Sequence, residues 1–262
     1  MSTARLATAA RFGAVLLAAG GGASMAAAKP AHQHPSPAAQ ASQIEPAAVA
    51  ALARMSAFLR SNRTFEVRMD MQRDEVDAYG QILTFSGAST YKVRAPNGLE
   101  IETSDAGQSR RYVYDGKSVT VFDPKSRYYG RFDAPPTIRE TLDQAQTKYG
   151  IRIPLADLFR WGDDPNQANE LTAAHFVDSE TVGGQDAQHF AFREKGVDWQ
   201  IWIADGDKPL PLRVVVVAAD DPARPQFEAD LTWDTAPQFA ADTFVFTPPA
   251  QAKVIPMAAA DQ

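Results

Sequence analysis

The chain has 262 residues, no cysteine, and 26 basic against 32 acidic side chains. Without cysteine there is no disulfide, thiolate metal site, cysteine nucleophile or lipid anchor on cysteine. An acidic balance with no basic block excludes the patch that neutralises phosphates in nucleic-acid binding, and 45% hydrophobic residues suit one large domain or two small ones.

The first 28 residues read as a cleavable export signal. Arg5 and Arg11 form a basic start, Phe12–Ala19 a short apolar core, and small residues close at Ala26-Ala27-Ala28. Phe12 to Ala28 carries no charge, but it is short and rich in Ala and Gly against the ~20 strongly apolar residues of a membrane span. The expectation is a periplasmic protein that does not span the membrane once cleaved. Residues 29–43, rich in Pro, Ala, Gln and His, read as a disordered leader. His32 and His34 in it lack the further ligands on a fixed scaffold that a metal needs. The folded domain is expected over 44–255, with 256–262 a loose tail.

From Pro46 to Arg60, Val49, Leu52, Met55 and Leu59 recur every three or four residues, one face of an amphipathic helix with Pro in its first turn. The period then becomes two. Phe65, Val67, Met69 and Met71 alternate with Glu66, Arg68 and Asp70, the pattern of a half-buried strand. Leu83, Phe85, Tyr91 and Val93 share one face of a long strand broken at Gly87. Pro96-Asn97-Gly98 turns it into Leu99 and Ile101, with Glu100 and Glu102 outward. Asp115-Gly116 joins Arg110–Tyr114 to Ser118–Phe122 as a hairpin whose two turn positions take positive φ. Arg127 to Phe132 ends this first meander.

Residues 134–169 break the strand pattern. Ile138, Leu142, Ala145 and Tyr149 mark a short helix stopped by Gly150, and Pro154 to Trp161 suggests another turn or two. A weak strand at His175–Asp178 is followed by Gln188–Phe192, Trp199–Ile203, Leu210–Val217 and Phe227–Trp233. About eleven strands at hairpin spacing point to a mainly β, α+β fold. The expectation is one large curved antiparallel sheet, a half-open barrel whose apolar concave face is covered by the N-terminal helix and the helical insert.

No nucleophile elbow, phosphate loop, zinc-protease helix or dinucleotide fingerprint occurs, so neither a catalytic residue nor a cofactor or metal is assigned. His175 and His189 lie on strands; His189 opposes the face of Phe190 and Phe192, which points to solvent exposure or a local hydrogen bond. Asp205-Gly206-Asp207 reads as a turn rather than a calcium loop. In Trp199-Gln200-Ile201-Trp202, Trp199 packs with Ile201, while Trp202 faces the other way, into packing or toward a partner.

Several stretches carry a resemblance: Tyr114-Asp-Gly-Lys117, Ala134-Pro-Pro-Thr-Ile138, Tyr149-Gly-Ile151, Pro154-Leu-Ala-Asp-Leu158, Trp161-Gly162, Gly196-Val-Asp-Trp-Gln-Ile-Trp-Ile203 and Asp220-Asp-Pro-Ala-Arg-Pro-Gln226. Over about residues 50–249 the chain resembles an uncharacterised family of predicted periplasmic proteins, a domain of unknown function. More distantly it is similar to the lipoprotein-localisation (LolA/LolB-like) superfamily, through Phe122-Asp123-Pro124 and Phe244-Val-Phe246-Thr-Pro248-Pro249 in that order. That similarity implies a sheet around an apolar cavity under a helical lid, and a lipid, lipoprotein or protein partner in the envelope.

The candidate cavity residues are Phe65, Val67, Met69, Phe85, Tyr91, Trp199, Ile201 and Trp233; the candidate lid residues are Ile138, Leu142, Leu155 and Leu158. A sixteen-carbon chain offers on the order of 12 kcal/mol gross on burial, before ordering costs. The leading expectation is a non-catalytic binder or carrier of a lipid, acyl chain or other apolar ligand. Helices that fill the mouth permanently would leave a solid core and favour an envelope interaction or stress-sensing module, and a hydrolase with an unrecognised site is the third reading.

Overall fold

The structure is a computed structural model that describes residues 44–154 and 167–260. Its first helix, α1 (Pro46–Ser61), takes Pro46 in its first turn and buries Ala48, Ala51, Leu52, Met55 and Leu59 on one stripe. Polar-apolar alternation then builds β1 (Thr64–Val76), β2 (Ile82–Arg94), β3 (Gly98–Asp105), β4 (Gln108–Tyr114), β5 (Ser118–Asp123) and β6 (Tyr128–Asp133) as an antiparallel meander. After α2 (Ile138–Tyr149) come β7 (Ala173–Val182), β8 (Gln185–Glu194), β9 (Val197–Ala204), β10 (Pro211–Ala218) and β11 (Gln226–Asp234).

The second meander returns to the first because β11 pairs antiparallel with β1, with Val67 opposite Trp233 and Met69 opposite Leu231. A short β12 (Lys253–Val254) adds in parallel to β6. The described residues thus form one open twelve-stranded sheet, in the order β12-β6-β5-β4-β3-β2-β1-β11-β10-β9-β8-β7. This is the half-open α+β architecture expected, with β12 as the addition. Period-two patterning could not find two exposed residues in a Pro-rich segment.

Both helices lie on one face of the sheet, the inner face. Leu52, Met55 and Leu59 of α1 and Leu142 and Ala145 of α2 join Phe65, Tyr91, Ile101, Phe132, Phe192, Trp199 and others in one core. Glu45 ties the start of α1 to the β7 edge: its N–H donates to Ala174 O at 2.7 Å, and its carboxylate accepts from Phe176 N at 3.0 Å. Helix α2 is capped at both ends. Thr137 Oγ1 accepts from Glu140 N at 3.3 Å, and Gly150 takes the left-handed φ of +65° that a residue with a Cβ disfavours.

The outer face is also partly dry. The C-terminal segment lays Phe246 against Phe122 and Tyr129, at ring centroids of 5.5 and 5.3 Å, and Phe244 against Arg94. The close with two phenylalanines is therefore an outer clasp. Further on, Met257 packs onto the main core and Ala260 N donates to Lys148 O at 2.9 Å, so residues expected to be loose touch both β6 and α2.

Four local readings need correction. Gly87 does not break β2; a Cβ there would meet Ser104 O at 2.7 Å, so glycine permits close approach of β3 within an unbroken strand. Only Gly116 of the Asp115-Gly116 pair has positive φ, at +90°, because Asp115 holds the turn with its carboxylate, which accepts from Lys117 N and Ser118 N at 2.9 and 2.8 Å. Glu100 faces outward as read but is buried, and its charge is met by Lys92 at 3.0 Å and Arg111 at 2.7 Å. His189 is buried as well, on the outer face, so of its two expected states only the local hydrogen bond holds.

Candidate functional site

A cavity of about 260 Å³ lies on the inner face, in the seam between the last turns of α1 and the first turns of α2. Its floor is Phe65 of β1, Tyr91 and Val93 of β2, and Leu99 and Ile101 of β3; Ile138, Leu142 and Ile153 form its other wall. Arg60 and Arg139 line it with exposed side chains, one from each helix. Under α2 a smaller void of about 20 Å³ shares Leu99, Ile101, Leu142 and Ile153 with it.

Ser56 is the buried polar residue of this mostly apolar lining. It lies on the buried stripe of α1, is 1% exposed, and its hydroxyl has no hydrogen-bond partner. A mid-helix serine normally satisfies itself on the carbonyl four residues back. Leaving the group unpaired costs about 1–3 kcal/mol.

The insert is rooted by two tyrosines of the sheet. Tyr114 Oη donates to Pro135 O at 2.6 Å, ahead of α2, and Tyr91 Oη donates to Pro154 O at 3.0 Å, after it. Burial pushes both phenols above the ordinary tyrosine range. Both donate as neutral phenols. Ile138 N also donates to Pro96 O at 2.8 Å.

The expected cavity residues separate in space. Phe65 and Tyr91 line the cavity, as do Ile138 and Leu142 from the expected lid. Val67, Met69, Trp199 and Ile201 lie in the solid core, where α1 and neighbouring rings occupy the space. Trp233 is half-buried with its ring 5.6 Å from Phe65, and its Nε1 donates to Pro211 O at 2.7 Å. Phe85 shares the face but lies beyond the helices, with the Arg73 guanidinium 5.0 Å from its ring. Leu155 and Leu158 lie outside the described residues. Ser56, Arg60 and Arg139 were not expected; the signal for Ser56 was a polar residue four after Leu52 and three before Leu59 on the apolar stripe.

A family model described as "Predicted periplasmic protein (DUF2092)" matches residues 48–258. The chain belongs to that family. Membership agrees with the periplasmic localisation read from the leader, and no helix among the described residues is long and apolar enough to cross a membrane. No curated protein matches by sequence. Among solved structures the chain is similar to MucB, at 15% identity and TM-score 0.46 over 80% of this chain and 66% of MucB, slightly under two thirds of its length. It is similar also to LprF from Mycobacterium bovis, at 12% identity and TM-score 0.46 over 80% of this chain and 100% of LprF. The Mycobacterium tuberculosis lipoprotein LppX shows 13% identity and TM-score 0.45 over 74% of this chain and 98% of its own.

Proposed function

We propose that this protein is a non-catalytic periplasmic binder or carrier of an apolar ligand with one chain and an anionic or hydrogen-bonding head, held between α1 and α2. The observation that carries the reading is the buried, unpartnered hydroxyl of Ser56, a residue that lines a mostly apolar cavity. A ligand oxygen at that point satisfies the hydroxyl, and Arg60 and Arg139 put positive charge where an acidic head would leave the apolar floor. A volume of about 260 Å³ falls just under the ~300–1,000 Å³ of drug-sized sites, which suits one acyl chain better than a multi-chain lipid. Movement of α2, hinged on the segments that Tyr114 and Tyr91 hold, enlarges the space for longer chains.

The test is native mass spectrometry of the mature protein purified from periplasm without detergent, followed by lipid extraction. A stoichiometric adduct that yields a fatty acid or single-chain lipid is expected. Leu142→Trp, which fills the cavity at an overpacking cost of about 1–3 kcal/mol, should abolish the adduct in a protein that still unfolds cooperatively. A bare mass together with no displaceable apolar dye overturns the reading and leaves an envelope interaction module with a solid mouth.

A further inference from the structure

On the outer face, far from the cavity lining, three metal-ligating side chains converge across β7 and β8. His189 is 8% exposed and stacks on Trp202 with ring centroids 3.9 Å apart and planes 10° apart. Its Nε2 lies 2.9 Å from Gln200 Oε1, a contact to which the Nε2–H tautomer donates. That leaves the Nδ1 lone pair aimed at two carboxylates: Asp178 Oδ1 at 3.4 Å and Glu180 Oε1 at 3.7 Å. Three metal-ligating atoms face one another there, and Glu180 Oε1 also accepts from Trp202 Nε1.

The spacing distinguishes a metal ion from a proton. A proton on Nδ1 would draw a carboxylate in to about 2.7–2.9 Å, the length of a charge-assisted hydrogen bond. Ligands about 2.0–2.1 Å from a tetrahedral zinc ion lie roughly 3.3–3.5 Å from each other. The 3.4 Å to Asp178 fits the second pattern, and the 3.7 Å to Glu180 lies a few tenths of an ångström beyond it. The three donor atoms lie within 4.8 Å of one another, and the two carboxylates are exposed enough to rotate inward.

The backbone supplies the convergence. A bulge between Phe176 and Asp178 shifts the register of β7 against β8. Before it, Ala174 and Phe176 face inward with Phe192 and Phe190; after it, residues of the same parity face outward, which places Asp178 directly opposite His189. Without the extra residue, Asp178 and Glu180 would point to the other face. Two further groups touch the ligands as outer partners do at metal sites: Gln200 Oε1 contacts the imidazole Nε2, and Trp202 Nε1 donates to Glu180. The nearby Arg213 is held by Asp230 at 2.6 and 3.0 Å, and its charge also acts on Glu228 and Glu180.

We infer that Asp178, Glu180 and the Nδ1 of His189 bind one divalent transition-metal cation of the zinc class, with solvent in the remaining position. Imidazole nitrogen with two carboxylates favours zinc, nickel or copper over calcium or magnesium, which prefer oxygen alone. The ion ties the edge strand β7 to β8, so its binding adds to stability.

The experiment titrates ZnCl₂ into the chelator-treated mature protein, followed by calorimetry and by the histidine ring signals in NMR. One equivalent is expected to move the His189 ring signals at sub-stoichiometric zinc, before those of His175, His32 and His34, and to raise the thermal midpoint by a few degrees. The double substitution Asp178→Asn with Glu180→Gln, both at exposed side chains, should lower affinity at least tenfold and leave the zinc-free midpoint nearly unchanged. Unmoved His189 signals, or equal affinity in the double variant because zinc resides on the His32–His34 leader, overturns the site.

Discussion

Two regions of the inner face carry the same alternation of apolar and polar residues, yet they pack differently. Over β8 to β10 the face is solid: Phe192 stacks on Trp199 at 4.2 Å and 17°, Phe190 continues the row, and Val214 and Val216 fill behind them. Over β2 and β3 the floor is Tyr91, Val93, Leu99 and Ile101, and a cavity remains above it. The difference lies in the cover rather than the sheet. Flat rings lie on one another and fill the space, whereas α1 ends at Ser61 and α2 begins at Ile138, and the cavity lies in the seam between these two helix ends, lined by Leu59 and Arg60 on one side and Ile138 and Arg139 on the other.

That contrast can be broken at its solid side first. Ile201→Ala should cost about 3–4 kcal/mol in urea unfolding, the upper range for aliphatic truncation, because its crowded neighbours cannot collapse into the hole. Ligand bound per folded molecule should not change. At the open side, Leu142→Ala should cost about 2 kcal/mol, since this side chain already borders empty space, and should admit a bulkier ligand in a competition assay. If the two substitutions cost the same, the inner face is packed uniformly and the comparison fails.

Ser56→Ala runs opposite in sign. Removing a buried hydroxyl with no partner should stabilise the ligand-free protein by about 1 kcal/mol, read as a higher urea midpoint, and should weaken any ligand whose head meets that hydroxyl. The smallest effect concerns pH. Arg193, bonded to Asp198 at 2.6 Å, with Arg224 at 2.8 Å, holds that carboxyl below its usual range against the opposing cost of burial. A depressed folded value stabilises above the unfolded value of about 3.9 and loses that contribution as pH falls through the folded one. The stability gap between the protein and Asp198→Asn, about 1 kcal/mol or less, should be level from pH 5 to 8 and should close in more acid solution.

Eleven of the twelve strands were legible because a half-buried strand writes itself as alternation, and α2 because Thr137 and Gly150 mark both its ends. His175–Asp178 read weakly for a physical reason: the bulge breaks the alternation midway through β7, so neither half shows a full pattern. The cavity was legible as a face but not as a place. Phe65, Tyr91, Ile138 and Leu142 fall within it, whereas Trp199 and Ile201 carry the same signature into solid packing. Parity tells which side of the sheet a residue takes; where a covering helix stops is a tertiary fact. The outer cluster was hidden further still, since Asp178 and His189 share a face only after the register shift.

The parallel pairing of β12 on β6 bears on valence. Ile255 N donates to Tyr129 O and Lys253 N to Arg127 O, both at 2.9 Å, so the chain's own end occupies the rim where another sheet would dock. At the opposite rim, Glu45 occupies the start of β7, and the open length that follows bears Asp178 and Glu180, charges that repel a second copy. Runaway strand-by-strand growth needs two vacant rims on every molecule. Among the described residues, β12 shortens the free length of one rim and acidic side chains guard the other, and both disfavour growth by strand addition.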